Sequence, residues 1–252
     1  VLWENQLGED GVQLKWLAPS EMFLEFGGEV GNGGSFPGSE RTKNGSGAGV
    51  LFVHVGDDIG IEQSWRAGLS LHRTRAIERA SDDVPDLNGS NVSTSFTGDS
   101  RTAGLDFVWK YAPDGNINER HLKLQGEYFR RSESGDLSYD TAGANTTDSY
   151  AVTQSGWYVQ GVYQFMPRWR SALRFDRLDP GIASLGAANA ANIIADYAFQ
   201  PSRTTFMLDY SPSEFSRIRL QLTNDQSRQS LRDNQLFVQY IMSLGAHGAH
   251  SY

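Results

Sequence analysis

The chain has 252 residues, a net charge of −8 and no cysteine, so neither disulfides nor thiolate metal sites can support the fold. No run approaches the roughly 18 apolar residues of a membrane helix, and an acidic chain without a basic stripe argues against nucleic acid as a partner. A membrane barrel is not excluded, because it needs apolar residues only at alternate positions; 27 glycines and 12% aromatic residues suit a β protein with long connections.

From the N-terminus, no leader segment follows Val1, so the chain is expected to be either mature or incomplete at its start, and VLWEN (1–5), which reads as the end of a strand, favours the second. Apolar residues then recur at every second position, the period of a strand. Val12, Leu14 and Trp16 are followed by Met22, Leu24, Phe26 and Val30, then by Leu51, Val53 and Val55. Trp65, Ala67, Leu69 and Leu71 form a fourth row, and Leu105, Phe107, Trp109 and Tyr111 a fifth. Leu122, Leu124 and Tyr128 come next, then Trp157, Val159, Tyr163 and Phe165, then Trp169, Leu173 and Phe175. Phe206, Leu208 and Tyr210 precede Ile218, Leu220 and Leu222, and Leu236 to Leu244 close the series. That makes about eleven strands, twelve with the fragment at 1–5.

The connections alternate. LAPSEM (17–22), GDDIG (56–60), APDGN (112–116), FMPRW (165–169) and YSPSEF (210–215) hold turn formers. Between them lie long polar links at 31–47, 75–100, 133–150, 179–200 and 224–233. Outer-membrane barrels have short periplasmic turns and long external loops. Trp16, Tyr111, Phe165, Trp169 and Tyr210 stand where the apolar rows meet the short turns, as an interfacial girdle would. The expected fold is all-β: one antiparallel up-and-down transmembrane β-barrel over residues 1–252, without a plug domain, part of a 16-stranded or larger barrel if upstream strands are missing. A soluble sandwich or lipocalin-like barrel would bury the same rows in a core and turn the polar face outward.

SWRAGLS (64–70), KLQGEYFRR (123–131), SGWYVQGVYQFMPRWR (155–170), LDYSPSEFSRIRLQ (208–221) and QYIMSLGAHGAH (239–250) resemble a family of Gram-negative outer-membrane proteins. Its members are described as zinc-regulated TonB-dependent receptor-like proteins, and they also resemble phosphate-selective-type porins. The resemblance covers nearly the whole chain. It implies a barrel in the bacterial outer membrane, set among lipid and lipopolysaccharide and inserted by the barrel-assembly machinery. The terminal Tyr252 resembles the recognition signal for that machinery. A TonB-dependent receptor would have a plug, a TonB-binding segment and about 22 strands, roughly twice the number read here, so zinc and TonB coupling are not carried over.

With the apolar rows facing lipid, the intervening residues line the lumen. Arg66, Lys110, Lys123, Arg168, Arg170, Arg174, Arg203, Arg217 and Arg219 are its cations, with Lys15; Glu127, Asp176 and Asp209 are among its acids, with Glu25, Glu29 and Asp106. The basic excess concentrates in RWRSALR (168–174) and SRIRLQ (216–221). Two readings stand: an arginine wall favouring anions, or guanidiniums braced by Asp176, Asp209 and Glu127 because unpaired buried charge is costly.

Other chemistry has thin support. The acids of 75–100 (Glu78, Asp82, Asp83, Asp86, Asp99) and 133–148 (Glu133, Asp136, Asp140, Asp148) lack EF-hand spacing and read as solvated charge. His54, His72 and His121 take lumen parity, while His247 and His250, three apart, would point to opposite faces of a strand. No nucleophile motif, phosphate loop or metal-protease motif appears, so neither enzyme activity nor a cofactor is expected. The expected function is a porin-like diffusion channel for small hydrophilic solutes, homo-oligomeric as porins are. The barrel part of an energised uptake receptor and a structural or adhesive envelope protein are the alternatives.

Overall fold

A computed structural model describes residues 8, 10–39, 46–194 and 199–243. The expected alternation is present: one antiparallel sheet in which each long strand pairs with its neighbours in sequence. In chain order the strands are β1 (Gly11–Leu17), β2 (Phe23–Gly31), β3 (Ala48–Ile59), β4 (Gln63–Pro85), β5 (Asn91–Tyr111), β6 (His121–Tyr139), β7 (Thr146–Met166) and β8 (Trp169–Asp179). A short β9 (Ser184–Leu185) lies on β7, and one helical turn, α1 (Ala187–Ala190), follows it. β10 (Ser202–Ser213), β11 (Ser216–Gln226) and β12 (Asp233–Met242) complete the sheet. The eleven rows of alternating residues correspond to the eleven strands other than β9.

The fold is thus an up-and-down β fold, and its two faces are inverted relative to a water-soluble protein. Leu14, Leu51, Leu71, Leu105, Leu173 and Val238 are 52–76% exposed. On the opposite face His72, Thr74, Ser100, Thr102, Arg131, Glu133, Asp209, Thr223 and Asp225 are 0–8% exposed. A single-layered sheet can bury one face only by curling it inward or covering it with connections, so the polar face is the inner one. β1 is exposed along its whole length, as is nearly all of β12. Among the described residues these two strands do not pair with each other.

The strands are much longer than their apolar rows. The expected long links at 75–100 and 133–150 are mostly strand: β4 and β5 turn only at 86–90, β6 and β7 only at 140–145. These extensions escape a hydrophobic-period reading because both faces become polar. Arg73, Arg101, Ser132 and Thr153 point outward there, while Thr74, Ser100, Glu133 and Val152 point inward. Among the described residues the connection at 32–47 has no strand, and that at 180–201 holds β9 and α1.

Part of the acidic excess builds these turns. Asp86 accepts hydrogen bonds from the Asn88 and Ser90 amides, Asp140 from Ala144, and Asp148 from Ser149 and Ala188. Where β5 meets β6, Gly98 lies opposite Gly135. A Cβ on Gly98 would press on the Ser134 carbonyl and lie 2.6 Å from Phe96 Cζ and 2.8 Å from Gly135 Cα. Gly98→Ala is therefore expected to destabilise the β5–β6 extension by about 1–3 kcal/mol, the usual range for overpacking. Denaturant unfolding in micelles would reveal the loss.

Candidate functional site: the inner arginine wall

Three neighbouring strands, β8, β10 and β11, set the arginines in one field. Register places Arg170 opposite Asp209, and Asp209 opposite Arg219 on the next strand. Odd positions of β10 and β11 and even positions of β8 share the inner face, so Arg174, Asp176, Arg203, Arg217 and Asp225 join them. The wall lines a depression of about 440 Å³ with Gln160, Thr205 and Gln221.

Asp209 is its centre, with a side chain only 1% exposed. Its carboxylate accepts hydrogen bonds from Arg219 Nε at 2.8 Å and Nη2 at 3.0 Å, and from Arg170 Nη2 at 3.3 Å; Arg217 Nη1 lies at 3.6 Å. Arg174 grips Asp176 from the same strand through Nε and Nη2 at 2.6–3.0 Å, and its guanidinium stacks 3.8 Å from the Tyr158 ring centroid. Arg203 binds Asp225, its Nε at 3.1 Å. Five guanidiniums thus share three carboxylates, Asp176, Asp209 and Asp225, which leaves the wall cationic while each arginine is held in place. Bracing and cationic excess coexist. Glu127, expected among the braces, forms no ion pair with them among the described residues.

Towards the short turns, Arg66, Lys110 and Lys123 stand at positions of inner parity, and Lys110 and Lys123 face each other directly across β5 and β6. Arg168 is a correction. It occupies the Pro167–Arg168 turn with φ 71° rather than a strand position, because β7 runs to Met166 and β8 begins at Trp169. It overlooks a smaller hollow with Arg170 and Arg217 at that end. The residues expected to form a girdle each lie beside another aromatic ring: Trp16 stacks on Phe26, Tyr111 on Trp109, Trp169 packs on Tyr210 at 4.6 Å, and Phe165 lies 6.5 Å from Tyr163. Tyr252, His247 and His250 lie outside the described residues.

Two inner clusters were not anticipated. In the first, His54 Nδ1 is 3.1 Å from Glu25, and Nε2 is 3.9 Å from Asp106 two strands away. Gly68 makes that reach possible, since a Cβ there would strike Asp106 and lie 2.6 Å from His54 Cδ2. Among the described residues no group of three or more His, Asp or Glu is arranged to hold a metal. In the second, Arg79 makes paired hydrogen bonds to Glu133 at 2.8 and 2.9 Å and another to the Pro37 carbonyl at 2.6 Å. Phe36 lies against both Arg79 and Arg131, at 4.9 and 4.6 Å, so the first long connection rests on the inner face. Burial pushes the Glu133 carboxyl up, but the Arg79 hydrogen bonds and the nearby charges of Arg79 and Arg131 outweigh it and hold it below its ordinary value. Strand parity could have flagged Asp225 and Tyr158. It could not flag Arg79, because a bulge between Ala76 and Arg79, with Glu78 at φ 52°, shifts the inward positions by one.

No protein-family model matches the chain. An uncharacterized protein of Aquifex aeolicus (strain VF5) is 29% identical over 262 residues, a match covering 97% of this chain and 51% of that protein. The chain thus spans about half the length of that relative. Among solved structures, the TodX deltaS2S3 mutant monoaromatic hydrocarbon channel aligns over 88% of this chain and 68% of its own, at 11% identity and a TM-score of 0.42.

Proposed function

We propose that the chain forms wall of an outer-membrane β-barrel, and that this barrel is a passive channel for small hydrophilic solutes with a preference for anions. The reading rests above all on the inversion of the faces. A band of exposed Leu, Val, Phe and Trp side chains surrounds a buried polar face, as expected where lipid lies outside and water inside. Along β5 the outward apolar row runs from Ala103 to Tyr111, close to the roughly 9–11 residues a tilted strand needs to cross a bilayer. The aromatic girdle marks one boundary of that band and the outward arginines mark the other.

The solute class follows from the wall. Guanidiniums in excess over carboxylates lower the electrostatic cost of an anion near β8–β11, and their forks match carboxylate and phosphate oxygens. Lys110 and Lys123 extend the same sign towards the short-turn end. The inner surface also offers hydroxyl and amide groups, such as Thr205, Gln160 and Gln221, which suit hydrated solutes better than apolar ones.

Planar-bilayer recordings of the full-length protein test both parts. Discrete conductance steps are expected, with a reversal potential in a potassium chloride gradient displaced to the chloride side. Absence of conductance would favour the structural or adhesive alternative. Steps with potassium preference would retain the channel and reject the arginine wall as its selectivity element.

A further inference from the structure

The outer surface carries a second basic cluster, separate from the lumen. Immediately beyond the apolar band, Arg73 on β4 lies directly opposite Arg101 on β5, both exposed and both outward. Directly opposed side chains have Cβ atoms only about 4.5–5.5 Å apart, and like charges so placed destabilise a sheet. Arg130 on β6 pairs with Ala103 and so stands diagonal to Arg101, also outward and exposed. Arg75 is one outward position beyond Arg73. The acid in contact is Asp99, 3.3 Å from Arg73 Nη2. Four arginines therefore crowd around one contacting carboxylate on an open surface, and burial does not account for them.

The surroundings narrow the class of counter-ion. Below the cluster the face is greasy: Leu71, Leu105, Tyr128 and Trp157 are 39–53% exposed. Beside it a depression of about 820 Å³ runs from Asp99 and Arg101 across Ser132, Ser134 and Thr153 to Gly181, with hydroxyl groups as additional donors near the arginines and the Asp179 carboxylate at its far end. At the opposite boundary of the band the outward strand positions hold the girdle aromatics and no arginine among the described residues. The arrangement is a positive collar at one edge of an apolar band, with acyl-chain surface beneath and hydroxyls beside it. We infer that Arg73, Arg101 and Arg130 form a docking site for a phosphorylated lipid headgroup in the leaflet at the long-strand end. Guanidiniums fit phosphate oxygens in pairs, and a bound phosphate would turn the Arg73–Arg101 repulsion into shared attraction. The inference rests on the membrane reading of the apolar band.

The test uses the full-length protein in nanodiscs of phosphatidylcholine doped with a diphosphorylated glycolipid or with its phosphate-free counterpart. Bound lipid is read by native mass spectrometry after release. The protein should retain the diphosphorylated lipid at least tenfold better, and Arg101→Gln/Arg130→Gln should erase that preference while inserting into pure phosphatidylcholine like the parent. Arg101→Lys/Arg130→Lys should recover part of it. Inorganic phosphate at equal concentration should not displace the lipid, because it lacks the acyl contact; displacement would show a free-anion site instead and overturn the proposal. Equal retention of both glycolipids, or full retention by the glutamine variant, would overturn it while leaving the barrel untouched. Failure of the parent to enter any bilayer would remove the membrane reading and this site with it.

Discussion

Phe107→Arg is expected to destabilise the inserted protein by about 2–4 kcal/mol, the cost of arginine near the midplane on the lipid face of a barrel. Phe107 is 46% exposed and central in the outward row that runs from Ala103 to Tyr111. Were that face in water, replacing a half-exposed residue by arginine would change stability by roughly 0.5 kcal/mol or less. The control is Gln235→Arg on the inner face of β12, opposite Thr223. It introduces the same side chain into an aqueous lumen with Asp225 and Asp233 nearby, and should cost little. Equilibrium unfolding from lipid vesicles compares the two. A Phe107→Arg penalty no larger than that of Gln235→Arg would mean that the apolar band does not meet lipid.

The strands were legible because one physical rule governs them: where one face meets an apolar medium, alternate residues must be apolar. The rule breaks above the band, and there the reading stops. Residues such as Arg73, Ser132 and Thr153 are polar on the outside, their neighbours Thr74, Ser100 and Glu133 are polar on the inside, and nothing in their period separates a strand from a loop. Arg79 was illegible for a second reason, since a single bulge moves the inward parity by one residue. Pairing between strands was partly legible. Parity puts Arg170, Asp209 and Arg219 on one face, but only the register of β8, β10 and β11 brings all three to one level. Arg168 shows the opposite limit, because strand ends and turn positions differ by one residue in ways alternation does not record.

Long strands also change the picture of the end away from the short turns. With β4–β7 extended as paired strands, the wall continues well beyond the apolar band, and the first long connection lies against its inner face through Phe36 and Pro37. The Arg79–Glu133–Arg131 cluster thus lies between that end of the sheet and the arginine wall. Because Glu133 titrates below the usual carboxylate range, its stabilising pairing with Arg79 is fully present above the ordinary carboxylate pKa. It is lost only as pH falls through the lowered folded value. The rest of the inner wall depends on its own carboxylate.

Asp209→Asn should lower stability and raise anion preference together. Removing one member of a buried ion pair costs about 3–5 kcal/mol where both partners are sealed from water. Here the carboxylate is sealed but Arg170, Arg217 and Arg219 are 24–33% exposed, so water compensates in part. A loss on the order of 2–3 kcal/mol is expected after that discount. Asp225→Asn is the contrast: its partner Arg203 is half exposed, and the expected cost is about 1 kcal/mol or less. Both variants delete one negative charge from the same wall, so both should move the reversal potential further towards chloride by similar amounts. The selectivity reading therefore predicts two equal shifts in permeation alongside two unequal losses in stability. Unequal stability with no movement of the reversal potential would reduce the arginines to braces, while equal stability would show that Asp209 is not the residue that holds them.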